Sequence, residues 1–342
     1  MLYVTTRSNK ETYTSARALS EDRAPDGGFF VPMRLPLFDN RKIQELGKKN
    51  FSQNVAEIIN LFFGTRLDSW SLEFAIGRYP VKIIPISSRE VVAETWHNPA
   101  WKFERLARGI EKAILQSDKI SPKASDWLMV ASRIAVLFGV FGELLKDGSE
   151  MPIDLAVPSE DFSGVMAAWY AREMGLPIGN ILCCCNDNNG PWRLLHKGEI
   201  RTDGNPIPTD TPHCDRIVPR DLERLIHMVL GGKAAAEFAE SCRTGSTYYL
   251  DPEQQFLLRK GIYVPVTGHR RLESAVTVLC QNHRYFSDPY TALCYSGILD
   301  YRSVTGEGRK VLIISEESPE FSLEYLGKCL GLSPWELKKR MQ

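Results

Sequence analysis

"LAVPSEDFSGVMAAWYAREMGLP", residues 155–177, opens as an apolar run, breaks at Pro158 and resumes with helical spacing. Strand, short loop and helix N-terminus, in that order, is how an α/β protein cradles a phosphate, because bare amides and the helix dipole converge on the anion. Such a loop calls for glycine, so that the backbone can approach closely. Here it reads Ser159, Glu160, Asp161, Phe162, Ser163 and Gly164, with two carboxylates where the anion would lie. A carboxylate about 4 Å from a phosphate repels it by about 4 kcal/mol at an effective dielectric near 20, or roughly three decades of affinity. The same two acids suit a helix N-terminus with nothing bound to it. The stretch predicts the architecture of a cradle without its chemistry.

Outward from this stretch, strands and helices alternate. "PIDLAVP" precedes a helix at 164–175, "GNILCCC" a short helix around "GPWRLLHKG", and "RDLERLIHMVLGG" reads as a helix. "VKIIPIS", "GIYVPVTG" and "KVLIIS" read as further strands, and residues 102–116 and 125–146 as helices joined by the polar "SDKISPKAS". Residues 40–76 are helical in pattern, behind an opening with strand character at "LYVTT" and a turn at Asp26-Gly27-Gly28. Alternation of this kind predicts an α/β fold with a largely parallel sheet.

The chain has 342 residues, 43% of them hydrophobic and 25% charged, an ordinary globular composition. Lys+Arg and Asp+Glu are both 42, which argues against a nucleic-acid or membrane-surface partner by bulk electrostatics. The start carries no basic-then-apolar signal pattern. The stretch nearest to a membrane span, "WLMVASRIAVLFGVFGELL", is interrupted by Arg133 and Glu143. Eight cysteines and no signal pattern point to a reducing, cytoplasmic setting. Cys183, Cys184 and Cys185 alternate faces if they lie on a strand, so they are not a chelating trio, and Cys280 with His283 lacks a second pair. No metal site is expected. Arg133, inside an apolar helix, calls for an ion-pair partner. His269, Arg270 and Arg271 after "GIYVPVTG" read as a solvated loop before an anion site.

"LYVTTR…APDGGFFVP", "ETWHNPAWKFERLARG", residues 157–200, "CDRIVPRDLERLI" and "SDPYTALCYSGI" occur in an order and at distances that resemble the threonine synthase family. The resemblance covers nearly the whole chain. It implies a three-layer, fold-type II pyridoxal-phosphate scaffold of the tryptophan synthase β type. A threonine-synthase-type N-terminal region would span residues 1–90 and the large domain residues 91–342. In the family the activity is conversion of phosphohomoserine to threonine.

The family's chemical requirements are poorly met. Its Schiff-base lysine follows a His-Gly-Pro-Thr segment at a helix start. Read without gaps, His97-Asn98-Pro99-Ala100 puts Glu104 on that lysine; a two-residue deletion puts Lys102 there instead. The ungapped register buries Leu106, Ala107, Ile110, Ile114 and Leu115, whereas the gapped one buries Glu104, Arg105 and Arg108, at a cost of several kcal/mol for each unpaired charge. The family's small domain follows this helix, but here only a link near 116–125 does, and a βαβ unit needs roughly 30 residues. The family's Gly-Asn-Phe-Gly-Asp cradle is replaced by 160–164, with Phe162 kept. Glu316, Glu317 and Glu320 follow "LIIS", and Tyr290 stands where a histidine is common in the family.

The resemblance therefore implies a threonine synthase-like pseudoenzyme without pyridoxal phosphate, serving a binding or regulatory role. Its partner would be another protein or a second copy, taken at the surface that the missing small domain exposes. Asn186, Asn188 and Arg193 are expected at the remnant cleft or as loop-ordering residues. The alternative is an active pyridoxal-phosphate lyase working through Lys102 on a phosphohomoserine-type amino acid.

Overall fold

The computed structural model describes residues 1–76, 81–98, 103–115 and 125–341. At the N-terminus β1 (Leu2–Thr5) pairs antiparallel with β2 (Tyr13–Thr14) and β3 (Phe30–Pro32). Around this small sheet lie α1 (Ser15–Ser20), α2 (Asn40–Leu46), α3 (Phe51–Phe63) and α4 (Ser69–Ile76). Helix α3 starts at a capping box between Asn50 and Gln53 and stops at Gly64, whose φ of 70° is left-handed. Its buried Val55, Ile58, Ile59 and Phe62 follow the helical repeat and form one stripe.

Among the described residues the central sheet has six strands. They are β4 (Lys82–Pro85), β5 (Glu90–Glu94), β6 (Ile153–Pro158), β7 (Ile178–Cys184) and, after a separate antiparallel pair of β8 (Glu199–Ile200) with β9 (Tyr248–Tyr249), β10 (Ile262–Tyr263) and β11 (Val311–Ser315). The order across the sheet is β10-β7-β6-β11-β5-β4, parallel except for β4, which runs against β5 at the edge. Leu155 and Val157 of β6 and Cys183 of β7 face one core, and Ala156, Leu182 and Cys184 face the other. This two-residue alternation makes the sheet the middle of three layers.

Helices α5 (Phe103–Leu115), α6 (Asp126–Lys146), α7 (Ser163–Glu173) and α9 (Leu222–Leu230) share the first core with the N-terminal region. On the opposite face pack α12 (His269–His283), α13 (Pro289–Thr305), α14 (Leu323–Leu330) and α15 (Pro334–Met341). The short α8 (Gly190–Lys197), α10 (Gly232–Thr244) and α11 (Pro252–Arg259) complete the chain. Helix α6 is long and apolar enough to cross a membrane, yet most of it is buried inside the protein. It lies against α3 and the end of α2: a Cβ on Gly139 would stand 2.5 Å from Phe51 of α3, and one on Gly142 would stand 3.0 Å from the Leu46 carbonyl of α2.

The three-layer α/β fold with its largely parallel sheet is the one the sequence predicts. Two details differ. Strand β5 is not among the strands expected from the sequence, because "EVVAE" is short and ends in charge, and its pairing to β11 supplies what its pattern lacks. The division at residue 90 also separates β4 from β5, although the two form an antiparallel pair within the central sheet.

Candidate functional site

The carboxyl ends of β5, β11, β6 and β7 lie side by side, and ligands of open α/β sheets bind outside such ends. The loop after β6 closes on itself. The Ser159 amide donates to the Cys184 carbonyl at 2.9 Å and the Phe162 amide to the Ser159 carbonyl at 2.7 Å. Asp161 Oδ1 accepts from the Ser163 amide at 3.0 Å, so this acid does cap the start of α7. Glu160 turns elsewhere, to Arg133 of α6 at 3.6 Å. Arg133 also donates to Glu316, just past β11, at 2.6 Å. The cation inside the apolar helix thus has the ion pair its position demands, with two carboxylates on one guanidinium.

The charges in this cluster are unevenly compensated. Burial pushes the Asp161 carboxyl up, but Arg133, Arg220 at 2.9 Å and Ser163 outweigh it and hold it below the usual carboxylate range. Burial raises Glu160, and Arg133 offsets only part of that. Burial likewise carries Glu316 up to about 8 despite its arginine. Between the unfolded carboxyl value of about 4.3 and that value the folded chain keeps an extra proton, so stability falls as pH rises through this window. Glu316→Gln, which keeps an acceptor for Arg133 without the charge, is expected to stabilise the protein at pH 9 by about 1–2 kcal/mol, after discounting for the partial exposure of Glu316. At pH 5 it is expected to leave stability unchanged. Thermal melts at the two pH values check this, and a variant less stable than wild type at pH 9 contradicts it.

A second network lies beneath the first. Arg220 reaches Asp126 at 3.0 Å as well as Asp161, and the fully buried Arg224 joins Asp126 to Asp221. The Asp221 amide donates to the Asp161 carbonyl at 2.9 Å, which fixes the cradle loop to the segment before α9. Sequence reasoning missed this network. Its only local trace is the i,i+3 spacing of Asp221 and Arg224 in "PRDLER".

At the end of β5, Glu94 meets His97 at 2.6 Å, and Trp96 packs on the same imidazole with ring centroids 3.9 Å apart. Lys102 lies outside the described residues, as does the side chain of Glu104. In α5, Leu106, Ala107 and Ile110 are fully buried, Ile114 is half-buried, and Arg105 and Arg108 are exposed.

Asn186 and Asn188 are brought together: both donate to Asp215 Oδ1, at 2.8 and 3.0 Å. Asn186 also holds Thr209 and Thr211, and Asn188 holds the Ile207 carbonyl, so the pair orders the loop at 207–215. Arg193 is not with them; it pairs with Glu199 at the start of β8. Tyr290 is buried, stacks on His213 with centroids 5.4 Å apart, and accepts from the His213 amide at 3.3 Å. The His213 imidazole faces Glu317, whose hydrogen bond raises its pKa. His269 is tied to Asp210 and Glu273, and Arg271 to Asp300. Among the described residues no group of His, Cys, Asp and Glu is placed to hold a metal.

A phosphorylated cofactor fits the backbone of the cradle but not its side chains. The helix start is there, whereas Glu160 and Asp161 fill the loop with carboxylates whose cations are already engaged.

Residues 2–78 match the family model described as "Threonine synthase N terminus". Threonine synthase of Eremothecium gossypii is 29% identical over 101 residues, 30% of this chain and 20% of that protein. Threonine synthase of Methylobacillus glycogenes is 24% identical over 216 residues, 61% of this chain and 44% of that protein. The chain thus matches less than half the length of these relatives. The solved structure of threonine synthase from Brucella melitensis with pyridoxal phosphate bound superposes with a TM-score of 0.85 at 16% identity, covering 98% of this chain and 92% of that one. The chain thus carries a match to a threonine synthase N-terminal region over residues 2–78, is similar in sequence to threonine synthases beyond it, and has the fold of the fold-type II threonine synthases throughout.

Proposed function

We propose that this protein no longer holds pyridoxal phosphate and acts as a binding or regulatory protein on the threonine synthase scaffold. The observation that carries the reading is the cradle loop, where Glu160 sits on Arg133 and Asp161 on Arg220. An incoming phosphate meets carboxylates at a helix start whose nearby cations are taken. Two further features support it. Helix α5 buries Leu106, Ala107 and Ile110 and exposes Arg105 and Arg108, the register in which Glu104 rather than Lys102 falls on the family's lysine position. The chain also passes from α5 to α6 in too few residues for a βαβ cover, and a cleft without cover does not exclude water. The face such a cover would occupy is where a protein partner or a second copy docks in this reading, within the cytoplasm.

Purified protein mixed with pyridoxal phosphate is expected to show no visible absorption band of lysine-bound cofactor, and Lys102→Ala is expected to change nothing. A band in the wild type that Lys102→Ala abolishes overturns the reading. It would favour the competing one, an active lyase working through Lys102 on a phosphohomoserine-type amino acid. The preserved cradle backbone is the observation on the side of that alternative.

A further inference from the structure

Four hollows follow one another along the side of the molecule where the central sheet ends at β10. The first, of about 390 Å³, lies between α8, α11 and β10, and the second, of about 540 Å³, continues from it past Tyr263. The third, of about 280 Å³, opens between α12 and α13, and the fourth, of about 550 Å³, runs on from there to α14. Each shares a wall with the next, first through His196, then through Asp300, then through Ser274, so the four make one groove. Together they exceed the roughly 300–1,000 Å³ of a small-molecule cleft. Strand β10 is the outer strand of the sheet here, and among the described residues no strand pairs with its free edge. A long groove beside a free strand edge suits an extended polypeptide segment.

The charges of this groove do not balance. Its acids are engaged within the chain: Asp300 accepts from the Tyr263 hydroxyl at 3.1 Å and pairs with Arg271 at 3.2 Å, and Glu273 pairs with His269 at 3.2 Å. Four of its cations are open. Arg259 and Lys260 at one end, and Arg270 and Lys328 at the other, make no ion pair or side-chain hydrogen bond among the described residues. Apolar side chains stand along the groove as well, with Phe256, Leu299 and Val304 being 72%, 45% and 68% exposed. We propose that this groove docks an extended acidic segment of a partner protein, its carboxylates on the two pairs of cations and its large apolar side chains between them. A nucleic-acid strand fits less well. Leu299 and Val304 offer no ring for a base to stack on, and equal numbers of acidic and basic residues leave no long-range field to gather a polyanion. None of α5, α6 and the β6–α7 loop lines these hollows, so the inference stands apart from the cofactor reading and from the face of the missing cover.

The test selects peptides of about a dozen residues, roughly 40 Å when extended, from a random displayed library on the full chain. Salt is kept near about 100 mM, where charges within roughly 10 Å still interact. The enriched sequences are then made with a fluorescent label and titrated by anisotropy. They are expected to carry acids flanking two or three large apolar residues. Arg259→Glu with Lys260→Glu, and separately Arg270→Glu with Lys328→Glu, are each expected to weaken their binding at least about 10-fold. Phe256→Ala with Leu299→Ala is expected to weaken it by a similar factor, and Lys48→Glu, outside the groove, to leave it unchanged. All the exchanged side chains are exposed, and a thermal melt confirms that each variant is folded. A library that yields no peptide specific to the folded chain overturns the proposal. So do basic or uncharged consensus peptides, and acidic ones that bind both charge-reversed variants as tightly as wild type. Poly(U) RNA or phosphatidylserine vesicles that bind more tightly than any peptide, and are lost in the same variants, give the groove to another class of partner. A dimer in sedimentation that falls apart in those variants gives it to a second copy. Either result overturns the proposal, and neither bears on pyridoxal phosphate, which the absorption measurement decides separately.

Discussion

Arg224→Ala is expected to lower the free energy of unfolding by about 3–5 kcal/mol. Arg224 is fully buried and pairs with two carboxylates, Asp221 and Asp126, of which Asp221 is equally buried. Its guanidinium also lies 4.4 Å from the centre of the Phe29 ring and 5.9 Å from that of Trp127. Truncation leaves two acids in the interior with only Arg220 between them, and breaking a buried pair on one side is far costlier than replacing all its members. The triple change Arg224→Met, Asp126→Asn, Asp221→Asn is therefore expected to recover most of the loss. Urea unfolding of both variants checks the pair of expectations. A loss below about 1 kcal/mol in Arg224→Ala would mean that water reaches the two acids and the network is a surface one.

Trp127→Ala is expected to cost about as much, roughly 3–5 kcal/mol, for a different reason. Trp127 is fully buried and makes edge-on contacts with Tyr3, Phe62 and Tyr170 at centroid distances of 5.7, 5.4 and 5.6 Å. Its indole N–H donates to the Tyr3 hydroxyl at 3.0 Å, and that hydroxyl donates to the Phe62 carbonyl at 2.8 Å. The variant loses a large apolar volume and leaves the chain of polar groups without its donor. Trp127→Phe, which restores most of the ring, is expected to cost only about 1–2 kcal/mol. Because Trp127 touches Arg224, the double alanine variant is expected to lose less than the sum of the singles. Strict additivity in urea unfolding contradicts that coupling.

Both residues matter to the candidate site through α6. Trp127 and Asp126 anchor the start of that helix to the N-terminal sheet and to the segment before α9, and Arg133 follows two turns later on the same helix. Loosening the anchor moves the cation on which Glu160 and Glu316 depend. The N-terminal region is thereby part of the support of the cradle rather than a separate module, as its shared core with α6 and α7 also indicates.

The acids of the cradle show how far local sequence reaches. By itself the sequence determined that residues 155–177 form a strand, a loop and a helix, because apolar period and Pro158 are local signals. It determined the alternating faces of Cys183 to Cys185, the need of Arg133 for a partner, and the resemblance that leads to the fold. It also brought Glu160 and Asp161 to the helix start as a pair with a single role, capping. The tertiary structure separated that role. Asp161 caps α7, while Glu160 leaves the helix for Arg133, and the cation is shared with Glu316, 183 residues further along the chain from Arg133. Arg224 and Asp126, 98 residues apart, carry no joint mark in the sequence at all. Ion pairing in a buried site is set by which elements the sheet order places side by side. Here β11 lies between β5 and β6, and that placement alone puts Glu316 beside the cradle. Backbone periodicity is written within a dozen residues, whereas the choice of counter-ion is made across the width of the sheet.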